Sequence, residues 1–172
     1  NVAGDRRRHD GRKVEGKLMP EVLTLDEIRK RIDVPAMIQA IEDGFVLYSD
    51  GKVVVPPVGF LNFQDPPGDV HIKYGYVKDD DVYVLKIASG FYENEKLGVP
   101  FADGVILVFS QKTGHLKLVL HDECWLTDMR TAAAGAVAAA GYSCPAPGLA
   151  AAPVVLAAVA ASIRAYWRPC GP

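Results

Sequence analysis

Two cations stand where charge is costly. Lys86 lies inside Val82-Tyr83-Val84-Leu85-Lys86-Ile87-Ala88, an otherwise apolar run, and burying an ammonium there is expensive unless something anionic answers it. It either snorkels from a sheet edge or serves a site. Arg130 lies in Leu126-Thr127-Asp128-Met129-Arg130-Thr131-Ala132-Ala133-Ala134-Gly135-Ala136, where strand-rich sequence turns helical. With Thr127 as N-cap, Arg130 falls in the first turn, where the positive end of the helix dipole disfavours a cation unless an anion is near. A guanidinium beside free backbone N–H groups makes a seat for a carboxylate or phosphate. The alternative is an ion pair of Arg130 with Asp122, Glu123 or Asp128. His71 and Lys73 alternate with apolar residues and so share one strand face. His71 is a catalytic candidate or an ordinary polar-face histidine. Cys124 has no base placed near it and reads as a small buried residue rather than a nucleophile.

The elements that must hold these residues follow from periodicity and punctuation. Thr24-Leu25-Asp26-Glu27 fits a capping box, with a short helix to about Ile32. Asp33-Val34-Pro35 restarts the pattern, and Met37, Ile38, Ile41, Phe45 and Tyr48 recur at helical spacing until Gly51. From Lys52 the period changes to two. Val53–Val55 and Val58–Phe63 read as strand pieces around Pro56-Pro57, prolines that favour an edge or a bend. Gln64–Gly68 is turn chemistry, and strands are expected over Val70–Tyr76 and Val82–Ala88 about a Lys78–Asp81 turn. Ser89–Phe101 is a long loop of the kind that borders sites, and Val105–Ser110 pairs with His115–Leu120 in a hairpin. The expected class is α+β: N-terminal helices on a mainly antiparallel five- to six-stranded sheet, then a helix.

Composition sets the remaining bounds. The 172 residues carry 23% charged and 49% hydrophobic residues with a net charge of -2, which is globular and gives no electrostatic case for nucleic acid or an anionic membrane. Cys124, Cys144 and Cys170 form no metal-ligand spacing, and a reducing, cytoplasmic setting is expected. Residues 1–18 are polar and basic, with Arg6-Arg7-Arg8 and no apolar core, and read as a disordered leader. Residues 141–172 are rich in Ala, Pro and Val and hold no acid. Their apolar run is broken by Pro153, short of the roughly 20 residues that cross a bilayer.

Val53-Val54-Val55-Pro56-Pro57, His71-Ile72-Lys73-Tyr74-Gly75, Lys86-Ile87-Ala88-Ser89-Gly90-Phe91-Tyr92-Glu93-Asn94, Val108-Phe109-Ser110-Gln111-Lys112-Thr113-Gly114 and Leu126-Thr127-Asp128-Met129-Arg130-Thr131-Ala132-Ala133, in that order, closely resemble the ornithine cyclodeaminase and mu-crystallin family. The resemblance implies that residues 19–140 are the substrate-binding and dimerisation half of a two-domain enzyme whose other half is a Rossmann domain for NAD(H) or NADP(H). It implies a homodimer formed through the sheet. Lys86 matches the family lysine that contacts the substrate and helps the chemistry at its amine-bearing carbon, and Arg130 the arginine that grips the amino-acid carboxylate. Thr131 lies where the family approaches the nucleotide. The implied reaction is hydride transfer from an amino acid, loss of ammonia and ring closure, with ketimine reduction or amino-acid dehydrogenation as relatives of it.

Three departures qualify the resemblance. An arginine that often follows the proline motif is replaced by Val58-Gly59, and Lys73 is the candidate to take its place at the carboxylate. Phe101 stands where a Ser or Thr is usual, which removes a hydroxyl from the cofactor's side and puts the neighbouring Asp103 contact in question. No Gly-x-Gly-x-x-Gly turn follows the alanine-rich helix. The expectation is therefore a shortened family member with a frameshifted tail, which binds no dinucleotide and does not turn over by itself. A non-catalytic dimerisation or amino-acid-binding module is the other reading.

Overall fold

The computed structural model describes residues 19–141; the expectations for the leader and for the tail beyond Gly141 lie outside the described residues. Along the chain run β1 (Glu21–Leu23), α1 (Leu25–Arg31), α2 (Val34–Ser49), β2 (Val53–Val54), β3 (Gly59–Gln64), β4 (Pro67–Val77) and β5 (Val82–Phe91). A 3-10 turn (Asn94–Leu97), β6 (Ala102–Ser110), β7 (Leu116–His121) and α3 (Trp125–Gly141) follow. The class is α+β, as expected, with one seven-stranded sheet ordered β1-β7-β6-β5-β4-β2 and β3 also paired with β4.

The sheet is one strand larger than the expected range. β1 is only three residues long and runs parallel to β7, with Val22 opposite Val119. So short a strand carries no readable alternation, and a parallel partner across nearly the whole domain leaves no local signal. The remaining ladders are antiparallel. Pro56-Pro57 divide the outer edge: β3 pairs with residues 67–72 of β4, and β2 with Tyr76 and Val77. Tight turns also let β4 and β5 run longer than their expected spans.

Local chemistry sets the helix boundaries. Glu27 accepts from both the N–H and the hydroxyl of Thr24 at 2.9 Å, which pulls its carboxyl below the usual range. Asp33 caps α2 by accepting from Ala36 N–H at 2.8 Å. Gly51, at φ 68°, ends it, since that conformation is open to glycine without steric cost.

One face of the sheet packs under helices. Val82, Val84, Ile106, Val108, Leu118, Leu120 and Leu23 join Ile28 of α1 and Leu126 of α3 in the main core. Met37 and Ile41 of α2 meet Ala133 of α3 in a second cluster. The opposite face is apolar but open: Tyr83 and Phe109 stack 4.9 Å apart, and Val22, Leu61, Phe63, Tyr74 and Tyr76 on that side are exposed. No helix among the described residues is long and apolar enough to cross a membrane.

Candidate active site

The register of the β4–β5 hairpin places Lys73 directly opposite Lys86, both on the helix-covered face with Val84 and Ile106. Lys86 is not at a sheet edge. It sits on a central strand, 4% exposed, and its Nζ donates to Thr127 Oγ1 at 2.8 Å. Burial, then the charges of Arg130 and Lys73, lower its pKa to about 8. A lysine in that range can hold or release a proton near neutral pH. Lys73 is half-buried, and burial followed by the charge of Arg130 lowers its pKa as well.

Arg130 approaches the two lysines from α3, its charge acting on both. The helix does not start at Thr127 as its hydroxyl suggested. It starts at Trp125, so Thr127 lies within its first turn and Arg130 in the second. The cap comes from Asp122, only 1% exposed, whose carboxylate accepts from Leu126 N–H at 3.0 Å. Between them Glu123 and Cys124 take φ of 49° and 64°, a left-handed conformation that costs non-glycine residues about 1 kcal/mol each. The Cys124 thiol helps to hold this turn by donating to the Asp103 carbonyl at 3.0 Å. Burial raises the pKa of that thiol, so it is a packed, protonated group and a poor nucleophile.

The ion pairs considered for Arg130 are not formed. Among the described residues no carboxylate lies in a salt bridge with Lys73, Lys86 or Arg130. Asp128 acts on Arg130 only through its field, against the larger effect of burial, and the Nε of Arg130 is buried without a hydrogen-bond partner. Three cations thus lie within one another's field, and among the described residues Thr127 Oγ1 is the acceptor that meets this cluster.

Further along the same row of β4, His71 Nε2 approaches Asp69 Oδ1 at 3.3 Å, and the Tyr92 hydroxyl donates to Asp69 Oδ2 at 2.6 Å. Phe101 packs 5.6 Å from the Tyr92 ring, where a Cβ at Gly90 would stand 3.2 Å from its ring, so the long β5–β6 loop closes that end of the row with aromatics. Thr131, the candidate cofactor contact, is exposed and donates to the Thr127 carbonyl of its own helix at 2.7 Å. No strand among the described residues passes through a glycine-rich turn into a helix, the arrangement that cradles a pyrophosphate. The chemistry of Lys73, Lys86 and Arg130 is that of an anion seat, and no pyrophosphate-binding glycine turn stands among the described residues. Nor does any group of three His, Cys, Asp or Glu residues among them stand ready for a metal.

Asp122 and Thr127 had not been singled out for the parts they play. The one clue was an acid shortly before a helix start; the left-handed turn that aims it has no signature in Glu123-Cys124.

Comparison with known proteins bears on the fold and the family. An uncharacterised cyclodeaminase of Sinorhizobium fredii is 38% identical over 70% of this chain and 38% of its own length. A Thermococcus litoralis Δ1-pyrroline-2-carboxylate reductase, solved with NADH and L-proline, superposes with a TM-score of 0.64 at 28% identity, over 69% of this chain and 36% of that one. An archaeal alanine dehydrogenase dimer with bound NAD gives the same TM-score and identity over 70% and 36%. The chain spans about a third of the length of the curated relatives it matches. The model of the ornithine cyclodeaminase/mu-crystallin family matches residues 19–144, and the chain belongs to that family.

Proposed function

We propose that residues 19–140 are the substrate-binding and dimerisation part of an NAD(P)-dependent enzyme that exchanges hydride at the nitrogen-bearing α-carbon of a small amino or imino acid. A cyclodeaminase would follow that step with loss of ammonia and ring closure; a ketimine reductase or amino-acid dehydrogenase would stop there. One observation carries the reading: Lys73, Lys86 and Arg130, from two strands and a helix, form one cluster of cations in which, among the described residues, no carboxylate is paired with them. Arg130 grips the substrate carboxylate and Lys73 takes the place of the missing arginine. Lys86 holds its proton against Thr127 Oγ1 and exchanges it with the substrate nitrogen or oxygen. The nicotinamide, when bound, supplies the hydride. Thr131 is the one residue of α3 offered toward that cofactor.

The relatives support this reading through what they are named for: a cyclodeaminase, a reductase solved with L-proline and a dehydrogenase dimer with NAD. The open apolar sheet face suits a homodimer, because an apolar area of that extent is normally covered. A cytoplasmic setting goes with both. Titration of the 172-residue chain with pyruvate and L-alanine, followed by NMR, tests the substrate part. Shifts at Lys86 and Arg130, lost in Arg130→Ala, are expected, and NAD(H) added at micromolar concentration should shift nothing. No response to either carboxylate would refute the site, and tight NAD(H) binding would refute the absence of a dinucleotide seat. A dimer in sedimentation without carboxylate binding would favour the second reading, a non-catalytic dimerisation module, which the open sheet face supports.

A further inference from the structure

Charge balance in the pocket narrows the substrate class, and this step rests on the carboxylate site proposed above. Lys73 and Lys86 face each other across a strand pair, an arrangement that repulsion makes unfavourable by itself. Arg130 adds a third cation whose Nε has no partner. The one buried carboxylate whose field reaches Lys86 is Asp122, and it is engaged by the N–H of Leu126. Asp128 is exposed, where water screens it. At the other end of the row, Asp69 is held by a hydrogen bond from Tyr92 with His71 beside it, away from Lys86. Three cations against one buried anion leave this cluster two charges in surplus.

An amino acid with an uncharged side chain, bound as a zwitterion, leaves that surplus unchanged and introduces another ammonium. A monocarboxylate removes half of it. A 2-oxo acid with two carboxylates removes it all, and an amino acid with two carboxylates, which keeps its ammonium and is net -1, removes half. Position agrees with the count. Arg130 and Lys86 form the deep pole beside Thr127, while Lys73 stands one strand farther out, about 4.8 Å away, and is half-exposed. That offset suits a second acidic group at the far end of a short carbon chain.

We propose that the pocket is built for a short dicarboxylic amino, imino or 2-oxo acid, its α-carboxylate on Arg130 and Lys86 and its distal carboxylate on Lys73. Lys73 is then the specificity-determining residue. A diamino acid is disfavoured at the same place, because its distal ammonium would face Lys73.

The test compares three four-carbon probes that differ only at the far end: succinate, butyrate and 4-aminobutyrate. Each is titrated into the 172-residue chain at pH 7 and low salt, with NMR shifts as the readout. Succinate is expected to bind about tenfold tighter than butyrate, the gain of one further charge-assisted contact, and 4-aminobutyrate weakest. Lys73→Met, checked for folding by circular dichroism, should bring the succinate-to-butyrate ratio to about twofold or less. Equal affinity for succinate and butyrate, or a preference that survives Lys73→Met, overturns the distal-carboxylate assignment while leaving the carboxylate site intact. Failure of all three probes to bind at millimolar concentration overturns both.

Discussion

Replacing Lys86 by methionine should make the protein more stable while removing its capacity to bind a carboxylate. The native lysine is 4% exposed and has a pKa near 8 against the ordinary 10.5, a depression that corresponds to roughly 3 kcal/mol of destabilisation when the group is charged in both folded and unfolded chains. That penalty applies in full below about pH 8. Between pH 8 and 10.5 the unfolded chain binds the proton and the folded chain does not, so the lysine's contribution rises with pH by about 1.4 kcal/mol per unit. Above 10.5 the penalty is gone. Methionine has a similar length and no charge; it forfeits the bond to Thr127, worth about 1 kcal/mol. Lys86→Met is therefore expected to gain about 2 kcal/mol at pH 7, a difference that closes as the pH approaches 10. Urea unfolding of both proteins at pH 7, 8, 9 and 10 measures it. The wild-type-minus-variant difference is the quantity of interest, because the Cys124 thiol, raised by burial, weakens stability in the alkaline range in both chains. A variant less stable at pH 7, or a difference flat with pH, would refute the reasoning that Lys86 is held charged at a cost for the sake of a ligand.

Other substitutions probe the parts that aim the site. A Cβ at Gly104 would stand 2.9 Å from Cys124 Sγ and 3.2 Å from the Ile87 carbonyl, so Gly104→Ala should cost about 1–3 kcal/mol, part of it recovered in the double variant with Cys124→Ala; additive melting temperatures would contradict the contact. Asp122→Ala should remove about 1–2 kcal/mol with the cap of α3 and speed amide exchange at Leu126, whereas Asp122→Asn, which keeps an acceptor oxygen, should do less; unchanged exchange at Leu126 would remove Asp122 from that role. Leu107→Lys, on the open sheet face, should convert a sedimenting dimer to monomer with its circular dichroism intact; a persistent dimer would place the interface elsewhere.

Where the sequence carried local signals, they proved readable. Capping residues at Thr24 and Asp33 and the stop at Gly51 marked the first two helices, because these effects act within four residues. Alternation placed Val82, Val84 and Lys86 on one face and Tyr83, Leu85 and Ile87 on the other. What escaped were features decided at a distance. β1 exists because β7 offers it an edge. The start of α3 lies three residues before the position that Thr127 as a cap implies, because Thr127 is a good cap by type, yet its hydroxyl is committed to Lys86, while Asp122 caps across a turn whose left-handed residues are neither glycine nor asparagine.

The site shows the same division. That Lys86 and Arg130 are unusual could be read from each residue's own surroundings, since each breaks a local rule. That Lys73 faces Lys86 depends on the register of the hairpin, and that Arg130 lacks an acid depends on α3 beginning early enough to carry it past Asp122 and Glu123. The strained Glu123-Cys124 turn sets the second of these: it follows β7, aims the Asp122 carboxylate at the helix start, and starts α3 early enough to bring the charge of Arg130 to Lys86 and Lys73. A glycine at Glu123 or Cys124 would relieve the strain of the turn, and the strain is retained where it aims Asp122 at the start of α3.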